Sequence, residues 1–135
     1  MNTAEITYES GLRTAATHLR SGESLNTDAP TDNNGKGEAF SPTDLTATSL
    51  VSCMLTMMGI LAERKGINMG SVQGTVKKVM AEAPRRIAQL KVEVTFAKHN
   101  MSMGDRQLME QTAINCPVAK SLHPDIVQQV KFKYE

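Results

Sequence analysis

Tryptophan is absent from this chain of 135 residues, and aromatic side chains are limited to three Phe and two Tyr. A core of this size must therefore be aliphatic, and nine Met supply adaptable volume to fill it or to line an apolar pocket. No sign of charge dominates: 15 Lys and Arg face 14 Asp and Glu, for a net charge of +1, with the signs mixed along the chain. Without a basic stripe or acidic tail, nucleic acid, membrane surfaces and polyanions are disfavoured as partners. There are two cysteines, no C-x-x-C pair, and three scattered histidines (His18, His99, His123), so neither a disulfide scaffold nor a metal site is indicated, and no cofactor is implied. The opening MNTAEITYES lacks the basic start and apolar run of a secretory signal, which points to the cytoplasm. The apolar run from Leu50 to Ala62 is thirteen residues, short of the roughly 20 that cross a bilayer, so no membrane association is expected. Repeats, low-complexity tracts and linkers are missing as well, and residues 1–135 read as one domain.

What the chain does have is one dominant stretch, Ser41 to Gly66, SPTDLTATSLVSCMLTMMGILAERKG. Ser41 suits a helix cap, Pro42 the first helical position, and Asp44 the positive end of the helix dipole. Beyond Leu45, apolar residues cover most of the circumference until a charged last turn, Glu63 to Lys65, precedes Gly66. A helix apolar nearly all round is a buried one. Cys53 falls in its middle.

Before this helix, Ile6–Leu12, Thr14–Leu19 and Glu23–Thr27, separated by Ser10-Gly11 and Ser21-Gly22, suggest a small meander. Asp28 to Phe40, DAPTDNNGKGEAF, reads first as a solvated connection, with the wall of a site as the other reading. After the helix, the alternation in Ile67–Ala81 and Arg86–Ala97 predicts an antiparallel hairpin around Glu82 to Arg85, with Lys77, Lys78, Lys91 and Glu93 turned to solvent or to cross-strand pairing. A second amphipathic helix is predicted from Met103 to about Asn115, a short turn or helix over Pro117–Leu122, and a closing strand over Ile126–Tyr134. Strands, helix, strands, helix, strand make an α+β domain.

A thiol reacts as its thiolate, so the two cysteines differ by what lowers each pKa. Cys116 precedes Pro117 at a helix start, where free N–H groups favour a negative sulfur, whereas Cys53 lies twelve positions into its helix and needs a nearby cation. Local reasoning thus makes Cys116 the more acidic.

SPTDLTATSLVSC, the hairpin after it, and CPVAKSLHPDI near the end together resemble the family of osmotically inducible protein C and the organic hydroperoxide resistance proteins, over almost the whole chain. The resemblance implies antiparallel sheets packed around a long buried central helix, and an intertwined homodimer whose two sites are built from both chains. It implies thiol peroxidase chemistry on organic hydroperoxides, with Cys53 peroxidatic and Cys116, 63 positions on, resolving. In hydroperoxidase members an arginine from the N-terminal strands serves the thiolate; Arg13 is the nearest match and Arg20 the runner-up. The glutamate that usually holds this arginine falls on Thr43, with Asp44 the nearest carboxylate, which moves this chain towards members without established peroxidase activity.

Two functions follow. In the first, Cys53 reduces an apolar organic hydroperoxide, Met54, Met57 and Met58 line its pocket, and an external dithiol resets a Cys53–Cys116 disulfide. In the second, the chain is a non-catalytic, stress-associated protein that holds an apolar ligand in the same pocket.

Overall fold

The predicted helix start is built as the sequence indicates: the Ser41 hydroxyl accepts from the Asp44 N–H at 3.1 Å, and the Asp44 carboxylate accepts from the Ser41 N–H at 3.0 Å. These reciprocal bonds satisfy two donors that a helix end leaves unpaired. From this cap α1 runs over Pro42–Lys65. In the computed structural model, which describes residues 1–135, α1 begins in one compact unit, Met1–Thr46, and continues through a second, Ala47–Glu135.

The first unit holds an antiparallel meander, β1 (Ala4–Tyr8), β2 (Arg13–His18) and β3 (Ser24–Asp28), in that spatial order. Arg13 stands directly opposite Asp28 in the β2–β3 register. The only buried residues of this unit are Thr27, Asp28 and Ser41, all polar, while Ile6 and Tyr8 are 61% and 62% exposed. After a 3-10 turn over Thr31–Asn33, the connection folds back on itself: the Gly35 and Gly37 N–H groups donate to the carbonyls of Pro30 and Ala29. A side chain on Gly35 would collide with the Ala29 carbonyl, so this closure requires glycine.

The second unit pairs β4 (Ser71–Ala81) and β5 (Arg86–Ala97) antiparallel, as predicted. β6 (Val127–Tyr134) joins β5 in parallel, so this sheet is mixed where the resemblance implied antiparallel sheets. The chain regains the β5 direction through α2 (Met103–Ile114) and α3 (Pro117–Ser121), the long connection that a parallel pair needs. Lys77 and Lys91 are exposed opposite one another, and Glu93 pairs with Lys133 at 3.2 Å. Lys78 departs from the predicted exposure: one residue from Lys77, it takes the other face of the pleat and is half-buried opposite Leu90.

Ala47, Leu50, Val51, Met54, Met58 and Ala62 form one buried stripe of α1, joined in the core by Leu90, Val92, Val94 and Phe96 of β5 and by Met109 and Ala113 of α2. Tyr134 fixes α2 to β6: its ring stacks on Phe96 with centroids 5.1 Å apart, carries the Arg106 guanidinium 4.4 Å from its centre, and its hydroxyl donates to Glu110 at 2.5 Å. The expectation of a helix buried all round is corrected. Cys53, Leu55, Met57 and Leu61 are only partly covered, and Ile60 is exposed, because a single chain packs one stripe of α1. The thirteen-residue count also understated this helix, whose best 18-residue window has a mean hydropathy of 1.8; by length and composition it could span a membrane, yet here its buried stripe is part of a protein core.

Gly74 of β4 sits where α1 approaches the sheet, and a Cβ there would collide with Val51 Cγ1. Gly74→Ala is expected to destabilise the chain by about 1–3 kcal/mol through overpacking. Urea unfolding checks this, with Val51→Ala expected to restore part of the loss in the double variant.

Candidate active site

Cys53 and Cys116 come from elements far apart in sequence, the middle of α1 and the residue that caps α3, and the second unit makes them neighbours close enough for Cys53 to influence the Cys116 thiol. They differ in cover. Cys53 is partly exposed and Cys116 fully buried, and both are free thiols.

Burial pushes the Cys116 thiol up, and its hydrogen bond and charge interaction with Cys53 push the same way, against opposing help from the Ala119 and Val118 N–H groups. This corrects the expectation that the helix start lowers the Cys116 pKa. α3 is a helix of five residues, and the field of so short a helix does not outweigh the loss of water around a buried sulfur.

The first unit holds a second polar cluster. Arg13 donates from Nε to Asp28 Oδ1 at 2.7 Å and from Nη2 to Oδ2 at 2.8 Å, a two-point grip, and Glu38 Oε1 lies 3.5 Å from Nη2. Asp28 is 1% exposed, and its Oδ2 also accepts the Glu38 N–H at 3.0 Å. These donors, the guanidinium first, hold the Asp28 carboxyl below the usual carboxylate range despite burial, and Asp28 in turn raises Arg13.

A family model described as "OsmC-like protein" matches residues 35–131. The chain belongs to the OsmC-like family. Among OsmC-like and related solved structures, one from Psychrobacter arcticus 273-4, provisionally named an osmotic stress induced and detoxification response protein, is 49% identical, with a TM-score of 0.92 over 98% of this chain and 96% of that one. An organic hydroperoxide resistance protein OsmC from Legionella pneumophila shares the fold at 16% identity, TM-score 0.73, covering 98% of each chain. One from Elizabethkingia anophelis does so at 13% identity, TM-score 0.78, covering 100% of this chain and 98% of that one. Among curated proteins no match is found.

Within this OsmC-like chain the other site candidates fall as follows. Asp44 closes the α1 cap, and Thr43 Oγ1 lies 3.3 Å from Ser41 Oγ in the same turn. The two-point carboxylate partner of Arg13 is Asp28 rather than either of these residues. Arg20, the runner-up, lies beyond the end of β2 and is exposed. Met54 and Met58 are fully buried in the core, the filling role that the composition assigns to methionine, while Met57 is half-buried. Sequence reasoning missed Asp28 and Glu38, which it placed in a solvated connection. The signal that could have found Asp28 is register: a β2–β3 turn at Ser21-Gly22 sets position 13 opposite position 28.

Proposed function

We propose that this OsmC-like chain is a thiol peroxidase that reduces organic hydroperoxides. The observation that carries this reading is the pairing of a partly exposed thiol, Cys53, with a buried one, Cys116, 63 positions away. An attacking sulfur must meet its substrate, and a resolving sulfur only has to meet the first. The Cys53 thiolate attacks the distal peroxide oxygen, the O–O bond breaks, and the leaving alkoxide takes a proton to depart as the alcohol. The resulting sulfenic acid condenses with the Cys116 thiol, releasing water and forming a disulfide. An external dithiol then reduces that disulfide by exchange, which needs a reducing compartment such as the cytoplasm. Arg13 serves the reacting sulfur in this scheme, and Met57 contributes to an apolar substrate surface.

The working unit in this proposal is a homodimer. A three-stranded sheet with no buried apolar residue of its own and an α1 with apolar residues outside its buried stripe both call for cover, and a second copy provides it. Names of structural relatives such as that from Legionella pneumophila agree with the substrate class.

Mass spectrometry after one equivalent of cumene hydroperoxide tests the function. Loss of two hydrogens, with a peptide bridging Cys53 and Cys116, is the expected result. Thiols that stay reduced would instead favour a non-catalytic OsmC-like protein with an apolar ligand.

A further inference from the structure

We propose that the outward face of the second sheet binds a soluble small molecule carrying clustered phosphates, a diphosphate being the simplest. The proposal is independent of the thiol chemistry. Leu90, Val92, Val94 and Phe96 of β5 turn into the core shared with α1, so Lys91, Glu93 and Thr95 between them point the other way. On that outer face the register builds three cross-strand rows: Lys77, Lys91 and Gln129; Thr75, Glu93 and Lys131; Gln73, Thr95 and Lys133. Four lysines from three strands thus meet on one face although no basic stripe is visible along the sequence. Against them stands one carboxylate, and Glu93 is engaged by Lys133 at 3.2 Å.

A merely solvated face does not call for this arrangement. Lys77 and Lys91 stand directly opposite one another, a like-charge pair that weakens a sheet. Neither of them, nor Lys131, has an ion-pair partner, although the chain holds 14 acidic residues. With four lysines and one glutamate the face carries +3 in a chain of net +1, which leaves −2 for everything else. Side chains directly opposite on a sheet have Cβ atoms roughly 5 Å apart and diagonal ones about 7–8 Å, so the flexible stems of Lys77, Lys91 and Lys131 can reach one common point. A depression of about 340 Å³ lies there, with Thr75, Lys77, Lys91, Glu93, Gln129 and Lys131 among its lining. Such a volume suits a small molecule. Ammonium groups hold phosphate as point charges, and Thr75 and Gln129 add neutral donors. Gln129 keeps its amide N–H groups for this, because the Gln89 amide donates to its carbonyl at 3.1 Å. Polymers and membranes fit less well: the face has no aromatic ring on which a base could stack, and its exposed large apolar side chain, Val127, stands one row outside the lysines.

Isothermal titration calorimetry with inorganic pyrophosphate tests the site at about 0.15 M salt, where exposed charges more than roughly 8 Å apart are largely screened. Saturable binding at one site per chain, with a Kd below about 1 mM, is expected. Lys91→Gln, at the centre of the cluster, should weaken it by about tenfold or more, and Lys131→Gln by a similar factor. Lys65→Gln removes the same charge at the far end of α1 and should change the Kd by less than about twofold. Glu93→Gln should tighten binding, because it takes away the carboxylate of the face and releases Lys133. Lys65, Lys91 and Lys131 are all exposed, so these variants keep the fold and each comparison stands by itself. Absence of saturable binding overturns the proposal, and so do equal losses in Lys91→Gln and Lys65→Gln, which would reduce the effect to net charge. Cosedimentation with phosphatidylserine vesicles, or binding of an oligothymidylate, that is tighter than pyrophosphate binding and lost in Lys91→Gln would make the face a membrane or nucleic-acid surface and overturn it too.

Discussion

Cys53→Ser is expected to abolish hydroperoxide turnover, whereas Cys116→Ser should permit a single oxidation and then stop. Only the attacking sulfur must be a nucleophile in the first step, and a serine hydroxyl does not replace a thiolate there. In Cys116→Ser the Cys53 sulfenic acid has no partner and should be trapped by dimedone, while wild type shows the disulfide instead. The burial of Cys116 gives this assignment its direction. Deprived of water, its thiol is held protonated, and a charge on Cys53 opposes its ionisation further. Exchanged phenotypes, with Cys116→Ser inert and Cys53→Ser oxidised once, would reverse the roles and return the argument to the helix start at Pro117.

The second large effect concerns stability. Met58→Ala is expected to cost about 2–5 kcal/mol, because Met58 is fully buried in the core and its truncation leaves a cavity among well-packed neighbours. In a chain of this length the thermal midpoint should fall by something on the order of 10 °C. Met57→Ala, one residue away and only half-buried, should cost much less and act instead on the Michaelis constant for an apolar hydroperoxide. Equal stability losses from the two would show that Met57 is also a core residue, leaving no methionine of this helix for substrate.

Much of the fold is legible in the residues. Ser41, Pro42 and Asp44 set the start of α1 to the residue, and the alternation in β4 and β5 gives their pairing and every strand end except the start of β4, which lies at Ser71 rather than Ile67. These signals are local: a cap concerns four neighbouring residues, and a pleat repeats every second one. The parallel placement of β6 was not legible, because a strand's own pattern is the same whichever way its neighbour runs. Nor was the incomplete burial of α1, since hydropathy states that apolar surface needs cover without saying which surface provides it.

For the candidate site, the sequence by itself determined the chemical inventory: two thiols, an arginine near the start of β2, and no metal-ligand cluster. Tertiary structure decided which of these groups meet and in what surroundings. It set Cys116 beside Cys53 and deprived it of water, raising its pKa where its position before Pro117 had predicted a lowering. It also gave Arg13 to Asp28, fifteen positions away, while Asp44 caps the helix. The reason is physical. A thiol's acidity and an arginine's aim depend on solvent and on partners within a few ångströms, and those distances exist only after the chain has folded.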